Sequence, residues 1–86
     1  MFYVYLLQSV KDKELYIGST NDLRKRVEEH NKGLVKSTRK RAPFKLIYYE
    51  SYKAEEDARE REKQLKLRGQ ARAHLLSRLK SSLLQN

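Results

Sequence analysis

Phe2-Tyr3-Val4-Tyr5-Leu6-Leu7 is apolar on both faces of any strand it forms. Side chains alternate along a strand, so Tyr3, Tyr5 and Leu7 point one way and Phe2, Val4 and Leu6 the other. A strand without a polar face has to be covered on both sides. Residues 2–8 are therefore predicted to form a central strand in a sheet flanked by helices. Lys11-Asp12-Lys13 reads as a polar turn, and Leu15-Tyr16-Ile17-Gly18 as a short second strand completing a hairpin. With the turn tip at Lys11 and Asp12, Leu7 pairs with Tyr16 and Tyr5 with Gly18. Tyr3, Tyr5, Tyr16 and Gly18 then share one face, and a slip of one residue would separate them. Gly18, lacking a side chain, is expected to leave room for a ligand beside two phenols.

Thr20-Asn21-Asp22 offers N-cap candidates for a helix near 22–31, with Leu23 and Val27 as its apolar pair and Gly33 as its stop. Arg26 and His30, four residues apart, project from one side of it. Residues 34–43 show no periodicity and read as a basic loop ending at Pro43. Phe44 to Tyr52 is a third strand. A charged helix over 54–68 carries a narrow apolar stripe of Ala54, Ala58 and Leu65, with Glu62 at its border. Gly69 breaks the pattern. A last helix over 70–83 places Ala71, Leu75, Leu76, Leu79 and Leu83 on one side.

Length and charge bound the function classes. Eighty-six residues suffice for one domain, read here as 1–86, with little to spare. The absence of Cys excludes disulfides, thiolate metal sites and cysteine nucleophiles. No apolar run approaches the ~18 residues of a membrane span, so a soluble, cytoplasmic protein is expected. The net charge of +9 is unevenly placed: +1 over residues 1–35, +5 over 36–49, −2 over 50–64 and +5 over 65–86. Two such basic blocks attract a polyanion through counterion release. Arg39, Lys40 and Arg41 in the loop and Arg72 in the last helix are the residues expected to hold a phosphate backbone without reading bases.

Tyr3-Val4-Tyr5 followed by Tyr16-Ile17-Gly18 resembles the two-part signature of the GIY-YIG nuclease superfamily. The continuation Tyr-Ile-Gly-Ser-Thr-Asn-Asp-Leu-Arg-Lys-Arg-Val, then His30, then a helix with Ala58 and Arg61-Glu62-Lys63-Gln64-Leu65-Lys66, strengthens the likeness. It extends over residues 2–68 and is greatest to small stand-alone bacterial members, relatives of the excision-repair incision nuclease domain. The resemblance implies an α+β fold in the order β-β-α-β-α-α, with a three-stranded antiparallel sheet and the first strand in the middle. It also implies a metal-dependent endonuclease that hydrolyses DNA phosphodiester bonds with one divalent cation, Mg²⁺ or Mn²⁺. The site residues it implies are Tyr5, Tyr16, Arg26, His30 and Glu62, with Glu62 holding the metal.

Elementary chemistry suits these roles. Phosphodiester hydrolysis builds negative charge on oxygen, which a hard cation held by one carboxylate and several waters can offset. An arginine grips phosphate through two parallel hydrogen bonds that lysine cannot reproduce. Tyr16 is expected to act as general base or to orient the attacking water, with His30 or Tyr5 as alternatives for moving protons. Three departures stand out: the first tripeptide lacks glycine, Ser19 occupies a position where some relatives carry lysine, and no Asn follows the glutamate, His74 being nearest in spacing. The expected partner is single- or double-stranded DNA, with a larger repair or recombination protein as a further partner and a monomeric chain. Two rival readings share parts of the pattern. A non-enzymatic nucleic-acid-binding module would keep the basic blocks without needing Tyr16 and Glu62 together. A protein-interaction adaptor would use the Leu-rich terminal helix.

Overall fold

The computed structural model describes residues 1–85. Three strands, β1 (Phe2–Ser9), β2 (Leu15–Thr20) and β3 (Phe44–Tyr52), form one antiparallel sheet in the order β2-β1-β3. Helix α1 (Leu23–Asn31) separates β2 from β3, and α2 (Glu55–Lys66) and α3 (Gln70–Arg78) follow. β1 is central, as its two apolar faces require, and Val4 through Ser9 are all buried. The hairpin register pairs Tyr5 with Gly18 and Leu7 with Tyr16, as the turn position predicts. β2 runs two residues further than the apolar run suggests, carrying Ser19 and Thr20 into the ladder.

The sheet separates two cores. Val4, Leu6 and Ile17 pack on one face with Ala58 and Leu65 of α2, Leu75 of α3 and Leu79 just after it. Tyr5, Leu7 and Phe44 form the other core, under Leu23 and Val27 of α1. A register shift in β3 opposite Leu6 and Leu7 leaves Ile47 unpaired, so Ile47 and Tyr48 both pack on the α2–α3 side. A bulge of this kind breaks the strict alternation that sequence reading assumes.

Helix ends follow local chemistry. Asp22 caps α1, its Oδ1 accepting from the Lys25 N–H at 3.2 Å. Gly33 at φ +74° closes α1: the Leu34 N–H donates to the Glu29 carbonyl at 2.9 Å and the Gly33 N–H to that of His30 at 3.2 Å. α2 is shorter than the periodicity suggests, and Ala54 is exposed rather than part of the apolar stripe because it stands before the first turn. α3 likewise stops at Arg78 rather than 83. The chain leaves the helix there, Leu83 packs against the core and the Leu84 N–H donates to the buried Gln8 Oε1 at 2.7 Å. That docking has no counterpart in helical periodicity. The Leu-rich face of α3, offered by sequence as an adaptor surface, is instead core, with Leu75 and Leu79 buried. Among the described residues no helix is long and apolar enough to cross a membrane.

Candidate active site

The hairpin register places Tyr5 beside Gly18 and Tyr16 on the α1 face. The ring centroids of Tyr5 and Tyr16 are 6.3 Å apart. Gly18 is required there, because a Cβ at that position would come within 2.6 Å of Tyr5 Cζ and 3.1 Å of Tyr16 Cε2. The space above Gly18 is thus filled by the Tyr5 ring. This corrects the expectation of ligand room, since an aromatic neighbour uses the gap first.

α1 adds Arg26 and His30 one turn apart. His30 is completely buried, its Nε2 lying 2.9 Å from the Tyr5 hydroxyl and its Nδ1 2.8 Å from Thr38 Oγ1. Thr38, also completely buried, directs its hydroxyl toward the Val35 carbonyl at 3.5 Å. One proton order satisfies every partner: Tyr5 O–H donates to His30 Nε2, His30 Nδ1–H donates to Thr38 Oγ1, and Thr38 O–H donates to Val35. Burial, with the Arg26 charge beside it, pushes the His30 imidazole down to about 4, so the ring is neutral. Burial pushes the Tyr5 phenol up to about 12, although the Arg26 guanidinium at its hydroxyl works the other way. At neutral pH the phenol keeps its proton, and the imidazole Nε2 lone pair is taken up by the Tyr5 hydroxyl. Sequence expectation groups His30 with the catalytic residues; in the structure it lies buried, bonded to the Tyr5 hydroxyl on one side and Thr38 on the other.

Arg26 is half-buried and pairs with Glu29 at 3.2 Å. It lines a cleft of about 470 Å³ with Ser19, Asp22, Lys25, Ala58 and Arg59, open between the N-termini of α1 and α2. Glu62 reaches the same β2 edge from the α2 side, accepting from Ser19 Oγ at 2.6 Å and from Lys66 Nζ at 2.7 Å. Burial alone would raise its carboxyl, but those two donors outweigh it and hold the group below the ordinary glutamate range. Glu62 is therefore an ionised carboxylate with 20% of its side chain exposed, and its Lys66 partner is half-exposed, on a long stem that can swing aside into water. Among the described residues no three His, Asp or Glu side chains cluster as a closed metal cage. A single ionised carboxylate fits a hard cation that keeps most of its waters, and does not fit a tightly caged ion.

Tyr5, Tyr16, Arg26 and His30 are thus contiguous, and Glu62 joins the Arg26 cleft through Ser19. The predicted phosphate-binding side chains divide. Arg39 and Lys40 are exposed on a short 3₁₀ turn at Arg39–Arg41. Arg41 is half-buried, with Nε 3.4 Å from Asp12, Nη2 3.4 Å from the Leu15 carbonyl and its guanidinium 5.7 Å from the Phe44 ring centre. Arg41 and Arg72 line one cleft at the opposite end of the β1–β2 hairpin. Sequence reading does not find Thr38, which sits in an aperiodic loop with no local signal. Ser19 is visible in the sequence only as a departure from a pattern, and its bond to Glu62 gives the departure a purpose.

A family model described as the GIY-YIG catalytic domain matches residues 1–75. A UPF0213 protein of Clostridium perfringens is 46% identical over 67 residues, covering 77% of this chain and 71% of its own. One from Streptococcus pyogenes serotype M3 is 43% identical over 82 residues, covering 91% and 88%. The solution NMR structure of a UPF0213 protein from Bacillus halodurans is 34% identical, with a TM-score of 0.55, covering 93% of this chain and 86% of that one.

Proposed function

The chain belongs to the GIY-YIG catalytic-domain family, and we propose that within it this protein is a divalent-metal-dependent endonuclease that hydrolyses DNA phosphodiester bonds. The reading rests on one observation: Arg26 from the α1 side and the lone ionised Glu62 from the α2 side converge on Ser19 of edge strand β2, with the Tyr5–Tyr16 pair beside Arg26.

In this reading Arg26 grips a non-bridging phosphate oxygen pair, and Glu29 holds the guanidinium toward the cleft. Tyr5, whose O–H donates a hydrogen bond to His30 Nε2, presents its oxygen to Arg26 and fixes the arginine's approach. Half-buried Tyr16 is the phenol free to orient the attacking water. Glu62 would hold Mg²⁺ or Mn²⁺, and Ser19 orients that carboxylate. When bound, such a cation supplies charge neutralisation at the phosphate and leaving oxygen. The exposed basic side chains Arg39 and Lys40 add backbone attraction without base readout.

The test is incubation of purified protein with labelled single- and double-stranded DNA in Mg²⁺, Mn²⁺ or EDTA, alongside Glu62→Ala and Tyr16→Phe. Cleavage that needs metal and fails in Glu62→Ala supports the reading. Metal-independent nicking, or nicking that survives Glu62→Ala, overturns it. Tight, salt-sensitive binding without cleavage points to a binding module on the same fold.

A further inference from the structure

Three arginines from separate elements meet far from the Arg26 cleft. Arg41 before β3, Arg68 in the α2–α3 connection and Arg72 of α3 line one cleft of about 420 Å³, together with Lys13 from the hairpin turn. Among the described residues Glu14 is the only acidic side chain lining it, and the Asp12 carboxylate nearby already faces Arg41. The Arg41 guanidinium is held in place by Asp12, the Leu15 carbonyl and the Phe44 ring, so it is preorganised.

A groove on α2 leads from the candidate active site toward this cleft. Arg59 lines both the Arg26 cleft and a shallow groove that continues past Glu62, Lys63 and Lys66. Leu67 ends that groove, and Arg68 follows it directly in the chain. The row therefore follows α2, from a cleft lined by Ser19 and Thr20 at one end of β2 to a cleft lined by Leu15 at the other. At the ordinary strand rise, the distance from Thr20 back to Leu15 is about 17 Å. Successive phosphates of one strand rise only ~3.4 Å along the helix axis but wind around it, so a straight track of that length meets a few of them.

We propose that Arg41, Arg68 and Arg72 form a second phosphate-binding site, which anchors the substrate's backbone a few phosphates from the bond at Glu62. The inference rests on the nuclease reading for its direction, because the cleft at Arg26 defines the other end of the track. Arginine suits the anchor because its planar fork binds phosphate oxygens in pairs. The site fixes position along the strand and carries no base readout.

The test measures binding of the full chain to a labelled 12-base-pair DNA duplex in EDTA, where no cleavage occurs, as a function of salt. Each phosphate that the protein ceases to neutralise lowers the slope of log affinity against log salt by about one. The Arg68→Gln/Arg72→Gln double variant is expected to lose about two units of slope. Lys45→Gln/Lys53→Gln, which removes the same charge from exposed positions at the two ends of the far-edge strand β3, is expected to lose less than about half a unit. Arg68→Lys/Arg72→Lys keeps the charge and should keep the slope, which separates weakened phosphate binding from a damaged fold. Equal slopes for the two glutamine pairs, an unchanged slope for Arg68→Gln/Arg72→Gln, or no wild-type binding overturns the site. Wild-type protein that fails to cleave in Mg²⁺ while the two-unit loss persists removes the nuclease reading and leaves the anchor standing.

Discussion

β1 presents opposite chemistry on its two faces. On the α2–α3 face, Val4 and Leu6 meet Ile17, Ala58, Leu65, Leu75 and Leu79, an aliphatic core. On the α1 face, Tyr5 and Leu7 meet Tyr16, His30 and Phe44, and a polar chain runs from Tyr5 through His30 to Thr38. Both faces are equally buried at β1, yet their directional bonds differ in place: on the α1 face they run through fully buried Tyr5, His30 and Thr38, whereas on the α2–α3 face they lie around the aliphatic cluster, where Gln8 accepts from the Leu84 N–H and Glu50 accepts from Tyr48, Tyr52 and Arg61. A thin chain with 38% hydrophobic residues thus threads a polar chain through the centre of one core and sets its polar bonds around the border of the other. The candidate site lies where the α1 face meets the β2 edge.

The largest effect expected from this contrast is on the aliphatic face. Leu6→Ala removes a side chain 1% exposed and should cost about 2–5 kcal/mol in urea unfolding. A cost below about 1 kcal/mol would mean that the two faces do not divide as described. Next comes the pH dependence of the polar face. An unfolded His30 takes up its proton near 6.5, whereas the folded ring holds off until about 4. The unfolded state therefore binds more protons between these values, and stability falls as pH drops from about 6.5 toward 4, by up to about 3 kcal/mol. Above pH 6.5 the His30 contribution is constant. Thermal unfolding against pH checks this, and a His30→Asn variant should flatten the curve in that window.

A smaller effect follows for Thr38→Val, which keeps the shape and removes the acceptor of the His30 Nδ1–H. Leaving that buried donor unpaired should cost about 1–3 kcal/mol. A neutral outcome would show that the loop is not bound to His30. The smallest stability change is expected for Glu62→Gln, where the side chain's ion pair with half-exposed Lys66 is worth under about 1 kcal/mol. Cleavage should nonetheless disappear in Glu62→Gln, which separates the site from the scaffold.

Much of this arrangement is legible in the sequence, for identifiable reasons. The doubly apolar run of β1 dictates a central strand, and the Lys11-Asp12 turn sets the register that brings Tyr5 to Gly18. Asp22 and Gly33 mark the ends of α1. Non-local packing is not legible. The bulge at Ile47, the docking of Leu84 on Gln8 and the burial of Thr38 beneath a basic loop all depend on partners distant in the chain. The ordered set of Tyr, Tyr-Ile-Gly, Arg, His and Glu identifies which residues belong together. It does not distinguish Tyr16, half-buried in the structure, from His30, which is sealed beneath it.

The central claim is that Glu62, and not the more acidic first turn of α2 at Glu55, Glu56 and Asp57, holds the divalent cation. Paramagnetic broadening of backbone amide signals by substoichiometric Mn²⁺ tests it without reference to turnover. The predicted result is broadening centred on Glu62, Gly18 and Ser19 in the wild-type protein and its loss in Glu62→Gln. Broadening centred on Glu55–Asp57, or broadening around Ser19 that persists in Glu62→Gln, would contradict the account.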